Sequence, residues 1–282
     1  MKDRRVHVTG LGFPEGPVAL PDGSIAFVDL LHRKIRAFRD GTTREICTVA
    51  GAPNGMRLGP DGALWVANNG GIAPDGKGSL AFAAPQISGR IQRIDADGSC
   101  RDVAVGDDAV PLWRPNDLVF SRSGDIVFTD PQNWEALEQP ERRGDYLGGQ
   151  LMLATSGGSL RRLARMTGFP NGLAFHPDGS LLVGITAEHR IVRFPWHGDA
   201  VGAMTEWCLF DAGFGPDGMA FVGDRLFVTG SVGDRIAILD LAGDLIEMVA
   251  TGPGSDPTNL CAQGDTLWVT MGLAGELVSY RL

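Results

Sequence analysis

No run of 18 apolar residues occurs in this 282-residue chain, so a membrane-spanning helix has no support. Basic charge is scarce as well. Against 34 Asp and Glu stand 25 Lys and Arg, a formal net charge of −9, which argues against nucleic acid or an anionic membrane as the main partner. A cation or a neutral small molecule fits that balance better. Only four cysteines are present (Cys47, Cys100, Cys208, Cys261), without C-x-x-C spacing or an adjacent histidine pattern. Buried or half-buried free thiols in a reducing compartment are the expectation. The opening MKDRRVHVTG has no apolar signal-peptide stretch, which places the protein in the cytoplasm on this reading. No G-x-S-x-G is found, so a serine-hydrolase elbow is not indicated.

What is abundant is turn chemistry. Gly at 40 and Pro at 17 are spread between strand-like runs instead of pooling in one low-complexity stretch. Hydrophobic residues at 43% and charged residues at 21% match an ordinary folded chain, so disorder is not expected. Tight turns recur at Pro21-Asp22-Gly23, Pro60-Asp61-Gly62, Ser123-Gly124-Asp125, Pro177-Asp178-Gly179, Gly223-Asp224 and Gly264-Asp265. After each comes a β-rich run: IAFVD, LWVAN, IVFTD, LLVGI, LFVTG and LWVTM.

A short greasy run opens six times on a carboxylate or amide: Glu15, Asn54, Asn116, Asn171, Asp217 and Asn259. The intervals are 39, 62, 55, 46 and 42 residues, the self-similarity of a propeller array. Residues 1–282 are therefore expected to form one all-β, six-bladed β-propeller of four-stranded antiparallel blades. The strand Arg5–Thr9 has no inner strand before it and is expected to complete the last blade, closing the ring. Two long inserts, 72–88 and 132–148, follow second strands; the latter is expected to hold a short helix. Antiparallel order puts these inserts on the same face as the six anchors, over the mouth of the axial channel.

Hard oxygen donors converging on that axis suit a divalent cation such as Ca²⁺, Mg²⁺ or Mn²⁺. Asn-Gly and Asp-Gly are also ordinary turn formers, and Asn54 and Asn259 are read as lining the channel only. Glu15 has less structural reason to be where it is, so Glu15, Asn171 and Asp217 form the candidate metal set, with Asn116 contributing a carbonyl. His32 and His189 lie in loops on the anchor face. Asp130, Asn133 and His32 are candidate rim contacts for a substrate.

EGPV at Glu15, PNDLVF with FTDP over Asn116–Asp130, NGLAF at Asn171 and PDGMAF at Asp217 resemble the gluconolactonase and senescence-marker-protein (regucalcin) family. The similarity runs through all six units. It implies one divalent cation at the top of the channel, calcium, zinc, manganese or iron(II), bound by the residues matching Glu15, Asn171 and Asp217. Asn116 would bind metal, substrate or both, and Asp217 would double as general base. The implied activity is hydrolysis of a sugar lactone or similar small lactone by a monomer or small homo-oligomer. Arg57, Arg114, Glu135, Arg142 and Glu188 compete for the arginine and glutamate that hold sugar hydroxyls in some members. Three other classes stay open: a non-catalytic calcium-binding propeller, a protein-interaction propeller, and a propeller of different small-molecule chemistry such as the strictosidine-synthase group.

Overall fold

The computed structural model describes residues 1–74, 80–82, 87–132 and 148–282, with only the backbone given at 72–74 and 80–82. Asn133 and the expected helix within 132–148 therefore fall outside the described residues.

Six four-stranded antiparallel sheets make a six-bladed propeller. Blade one comprises Pro14–Ala19, Ile25–Asp29, Lys34–Arg39 and Thr42–Thr48. Its inner strand pairs Pro14 with Asp29, so the start of the first strand and the end of the second share a face, as expected. Blades two to five repeat the order, and blade two carries an extra hairpin, Ile72–Pro74 with Leu80–Phe82. Blade six is assembled from both ends of the chain. Lys2–Val8 adds as the outer strand to Glu276–Arg281, the closure expected from Arg5–Thr9. Among the described residues no helix is long and apolar enough to cross a membrane.

The core lies between blades. Val28 and Ile35 of blade one pack with Met56 and Val66 of blade two, and equivalent apolar sets fill each following gap. Phe27 and Phe38 meet Trp268 and Leu277 where blade six returns to blade one. Strands alternate faces, so in the middle strands of a blade one side buries against the preceding blade and the other against the next, while outer strands such as Lys2–Val8 and Leu245–Ala250 stay largely exposed. Near the axis the blades are also tied by hydrogen bonds. Gly55 N donates to Asn116 O (2.7 Å), and Thr129 Oγ1 donates to Asn171 O (2.7 Å). Thr186 Oγ1 reaches Pro216 O, Thr229 Oγ1 reaches Thr258 O, and Thr258 Oγ1 reaches Pro14 O, at 2.7, 2.8 and 2.9 Å. These bonds hold neighbouring inner strands at a fixed approach, and that fixes the site.

Candidate functional site

Proline sets the register of the axis. Pro14, Pro53, Pro170, Pro216 and Pro257 each stand at or next to the start of an inner strand, and Pro115 stands three residues before Leu118–Phe120, places where a missing N–H is tolerated. The following residues are Glu15, Asn54, Asn116, Asn171, Asp217 and Thr258, all buried at 0–6% exposure. Blade six thus departs from the sequence reading. Its anchor is Thr258, and Asn259 lies one residue deeper, at the level of Asp117. The threonine hydroxyl closes the ring on Pro14 O, and so serves the scaffold.

The two acidic anchors come from blades one and five and feel each other. Burial pushes the Glu15 carboxyl up to about 8, with Asp117 adding to the rise; the Gly16 amide (2.8 Å), Asn259 and Arg57 oppose it. Asp217 is held well above the ordinary carboxylate range, first by burial, then by the charges of Glu15, Asp256 and Asp117, against a hydrogen bond from Ser231. Two carboxylates so placed cannot both be charged in a dry site unless a cation joins them. Asp256 was not singled out from the sequence. It is buried, takes a left-handed backbone (φ 50°), and its N–H donates to Asp234 Oδ1.

The amide anchors differ in how they are held. Asn171 Nδ2 donates to Thr186 Oγ1 (3.1 Å), which turns its carbonyl oxygen away from that bond. Asn116 is fixed through its backbone, its N–H donating to Thr129 O and its C=O accepting from Gly55. Among the described residues, Asn54 Oδ1 is buried without a hydrogen-bond partner. An orphaned buried acceptor costs about 1–3 kcal/mol, so the reading of Asn54 as a satisfied channel-lining residue does not describe its oxygen. Among the described residues no three His, Cys, Asp or Glu side chains cluster closely enough to hold a metal by themselves. A cation here would need amide oxygens beside the two carboxylates. An all-oxygen donor set with an acceptor to spare fits Ca²⁺, Mg²⁺ or Mn²⁺.

Asp130 is not on the rim. It is wholly buried, and its carboxylate accepts from Trp113 N (3.0 Å), Arg114 N (2.5 Å) and Gln150 Nε2 (2.7 Å). Burial pushes it up to about 7 in spite of these donors. The same device recurs at the ends of the second strands of blades one and two. Asp29 accepts from Gly12 N, and Asn68 Oδ1 from Ala52 N and Gly70 N. Each clamps the loop that leads into its own blade's inner strand, and so places the anchor beyond it. IAFVD, LWVAN and IVFTD carry this repeat in their last residue, a signal available in the sequence, of which only Asp130 was singled out there, as a rim contact.

His32 sits in the loop after Ile25–Asp29, with a half-exposed ring whose Nδ1 lies 2.8 Å from Asp29 Oδ1. His189 differs: its Nδ1 is tied to Phe214 O (3.1 Å). Of the four free thiols, Cys100 is exposed, contrary to the expectation of burial.

Residues 13–272 match the family model described as the SMP-30/Gluconolactonase/LRE-like region. The chain belongs to that family. The matched span contains every anchor from Glu15 to Thr258. A gluconolactonase of Zymomonas mobilis is 28% identical over 233 residues, 77% of this chain and 60% of that protein. The chain therefore spans less than two thirds of that relative's length. Among solved structures, a gluconolactonase of Xanthomonas campestris superposes with TM-score 0.79 at 24% identity, covering 99% of this chain and 89% of that one. A calcium-binding protein, regucalcin, from Agrobacterium tumefaciens gives 0.76 at 18%, covering 99% and 93%. At these identities the structural likeness speaks for the fold.

Proposed function

We propose that this family member is a divalent-cation-dependent lactonase that opens the ring of a sugar lactone or similar small lactone. The observation that carries the reading is the pair of buried acidic anchors, Glu15 and Asp217, the charge of Glu15 opposing that of Asp217, at inner-strand starts that elsewhere carry amides. The similarity to gluconolactonases supports the substrate class.

Glu15, Asn171 and Asp217, with Asn116, would hold the cation. When bound, it supplies Lewis-acid polarisation of the lactone carbonyl and offsets the buried negative charge. Asn116 orients the substrate from blade three. The Asp217 carboxylate accepts a proton from water as the water oxygen attacks the acyl carbon. The ring C–O bond then breaks, and the leaving alkoxide takes that proton from Asp217 to give the open hydroxy acid and restore the carboxylate. Ser231, donating to Asp217, fixes the direction from which that carboxylate acts. Asp29 accepts from His32 Nδ1–H, which leaves the other ring nitrogen for a substrate hydroxyl. Asn133, outside the described residues, is a second proposed substrate contact.

The test is a panel of five- and six-membered aldonolactones followed by pH-stat, with and without EDTA. The reading expects turnover that EDTA abolishes and added divalent cation restores. Tight cation binding with no turnover on any lactone would favour the non-catalytic binder, and turnover indifferent to EDTA would remove the cation from the mechanism.

A further inference from the structure

One residue further along each inner strand than the anchors, four positions are glycine (Gly16, Gly55, Gly172, Gly218) and two are not: Asp117 and Asn259. Their side chains fill the space the glycines leave open. A Cβ on Gly55 would collide with Asp117 Oδ1, and one on Gly218 with the Asn259 amide. Asn259 Nδ2 lies 3.5 Å from Asp117 Oδ2, so the two residues span the channel between blades three and six.

Two residues deeper again, the ring reads Val18, Arg57, Val119, Ala174, Ala220 and Cys261. Five are small or apolar. Arg57 alone carries charge, and its guanidinium turns back up to meet Asp117, with Nη2 to Oδ2 at 3.0 Å and Nη1 to Met56 O at 2.9 Å. Asp117 is 1% exposed and the Arg57 side chain 19%. The electrostatic reach of Arg57 extends to Glu15 on one side and Cys261 on the other. Three buried carboxylates thus belong to the inner-strand anchors and the layer beneath them (Glu15, Asp117, Asp217), the charge of buried Asp256 also acts on Asp217, and the guanidinium of Arg57 pairs directly with Asp117.

Resting on the cation-site reading above, we infer that Arg57 and Asp117, braced by Asn259, form a built-in charged floor beneath the site. The pair sets how strongly the anchors above attract a divalent ion. Arg57 is the permanent cation of the channel, and its field opposes a second one. Asp117 cancels that field and occupies the guanidinium, keeping it from Glu15. A buried pair of this kind contributes little net stability, while breaking it leaves an uncompensated charge at the site. Both members act through the anchors and are positioning residues.

The signs of three variants test this. Calorimetric titration with Ca²⁺ or Mn²⁺ at pH 8.5 compares wild type with Arg57→Met, Asp117→Asn and the double variant. Arg57→Met should bind the cation more tightly, by about tenfold or more, since a like charge is gone. Asp117→Asn should bind it more weakly by a similar factor, because the guanidinium is released toward Glu15. The double variant should return to within a few-fold of wild type. A floor that only maintains shape predicts weaker binding in every variant, and that pattern overturns the inference while leaving the cation site standing. Arg57→Lys, which keeps the charge, should stay near wild type; tighter binding in it would also count against the proposal. Wild-type protein that binds no divalent ion takes down both this inference and the reading on which it rests.

Discussion

Glu15 is a carboxylic acid that the fold keeps short of charge. Its ordinary value near 4.5 rises to about 8 in the folded chain, so the folded state holds its proton through a range where the unfolded chain releases it. The sign follows from linkage. Stability in the absence of a cation is fully present below about 4.5 and is lost as pH rises through about 8. Urea unfolding of cation-free protein at pH 5, 6.5 and 8 should show a midpoint that falls with pH. Saturating divalent cation, replacing the proton as the partner of Glu15, should flatten that trend; a midpoint that rises over the same range in cation-free protein would contradict it. At the same scale, Glu15→Gln and Asp217→Asn should each weaken cation binding about 100-fold or more and remove turnover. Asn54→Ala removes an orphaned acceptor that is not one of the proposed direct ligands, and should cost about tenfold or less by the same titration. A larger loss there would place Asn54 among the ligands.

At the scale of the strand, the axial motif has two layers, and only the upper one was legible. The repeated Asn-Gly and Asp-Gly pairs look like turns but are strand starts, and their glycines exist because the next blade's backbone or side chain comes too close for a Cβ. Gly218→Ala should therefore destabilise the protein by about 1–3 kcal/mol in urea titration, an overpacking cost at a blade junction, not a loss of turn propensity. Sequence intervals also placed Asn259 among the anchors, one residue out of register. The proline before each anchor is the better marker, and blade six had hidden it by putting the scaffold residue Thr258 in the anchor position. Asp130 shows a different limit. A carboxylate at the end of a second strand reads as a rim contact until its burial and its backbone donors are known. Asp130→Ala should loosen the loop carrying Trp113 and Arg114, and faster amide exchange at those two residues checks it.

For the whole molecule, alternation, turn residues and repeat spacing were enough to give six blades, the closing strand and the face on which the anchors stand. They do not encode which side chains from different blades touch. The Arg57–Asp117 pair joins positions 60 apart, and the inter-blade threonine bonds join others as distant as Thr258 and Pro14. Such contacts follow from closure. Deleting Lys2–Val8 would bare the pairing edge of Glu276–Arg281, and the shortened chain should unfold at lower temperature and self-associate in size-exclusion chromatography. The central claim is that closure brings Glu15, Asn116, Asn171 and Asp217 to one ion. Crystals soaked in Mn²⁺ and measured near its absorption edge test this most directly. The account predicts one strong anomalous peak on the axis, within bonding distance of the Glu15 and Asp217 carboxylates and the Asn171 carbonyl. An axis without a peak, or a peak bound only by surface carboxylates, would contradict it.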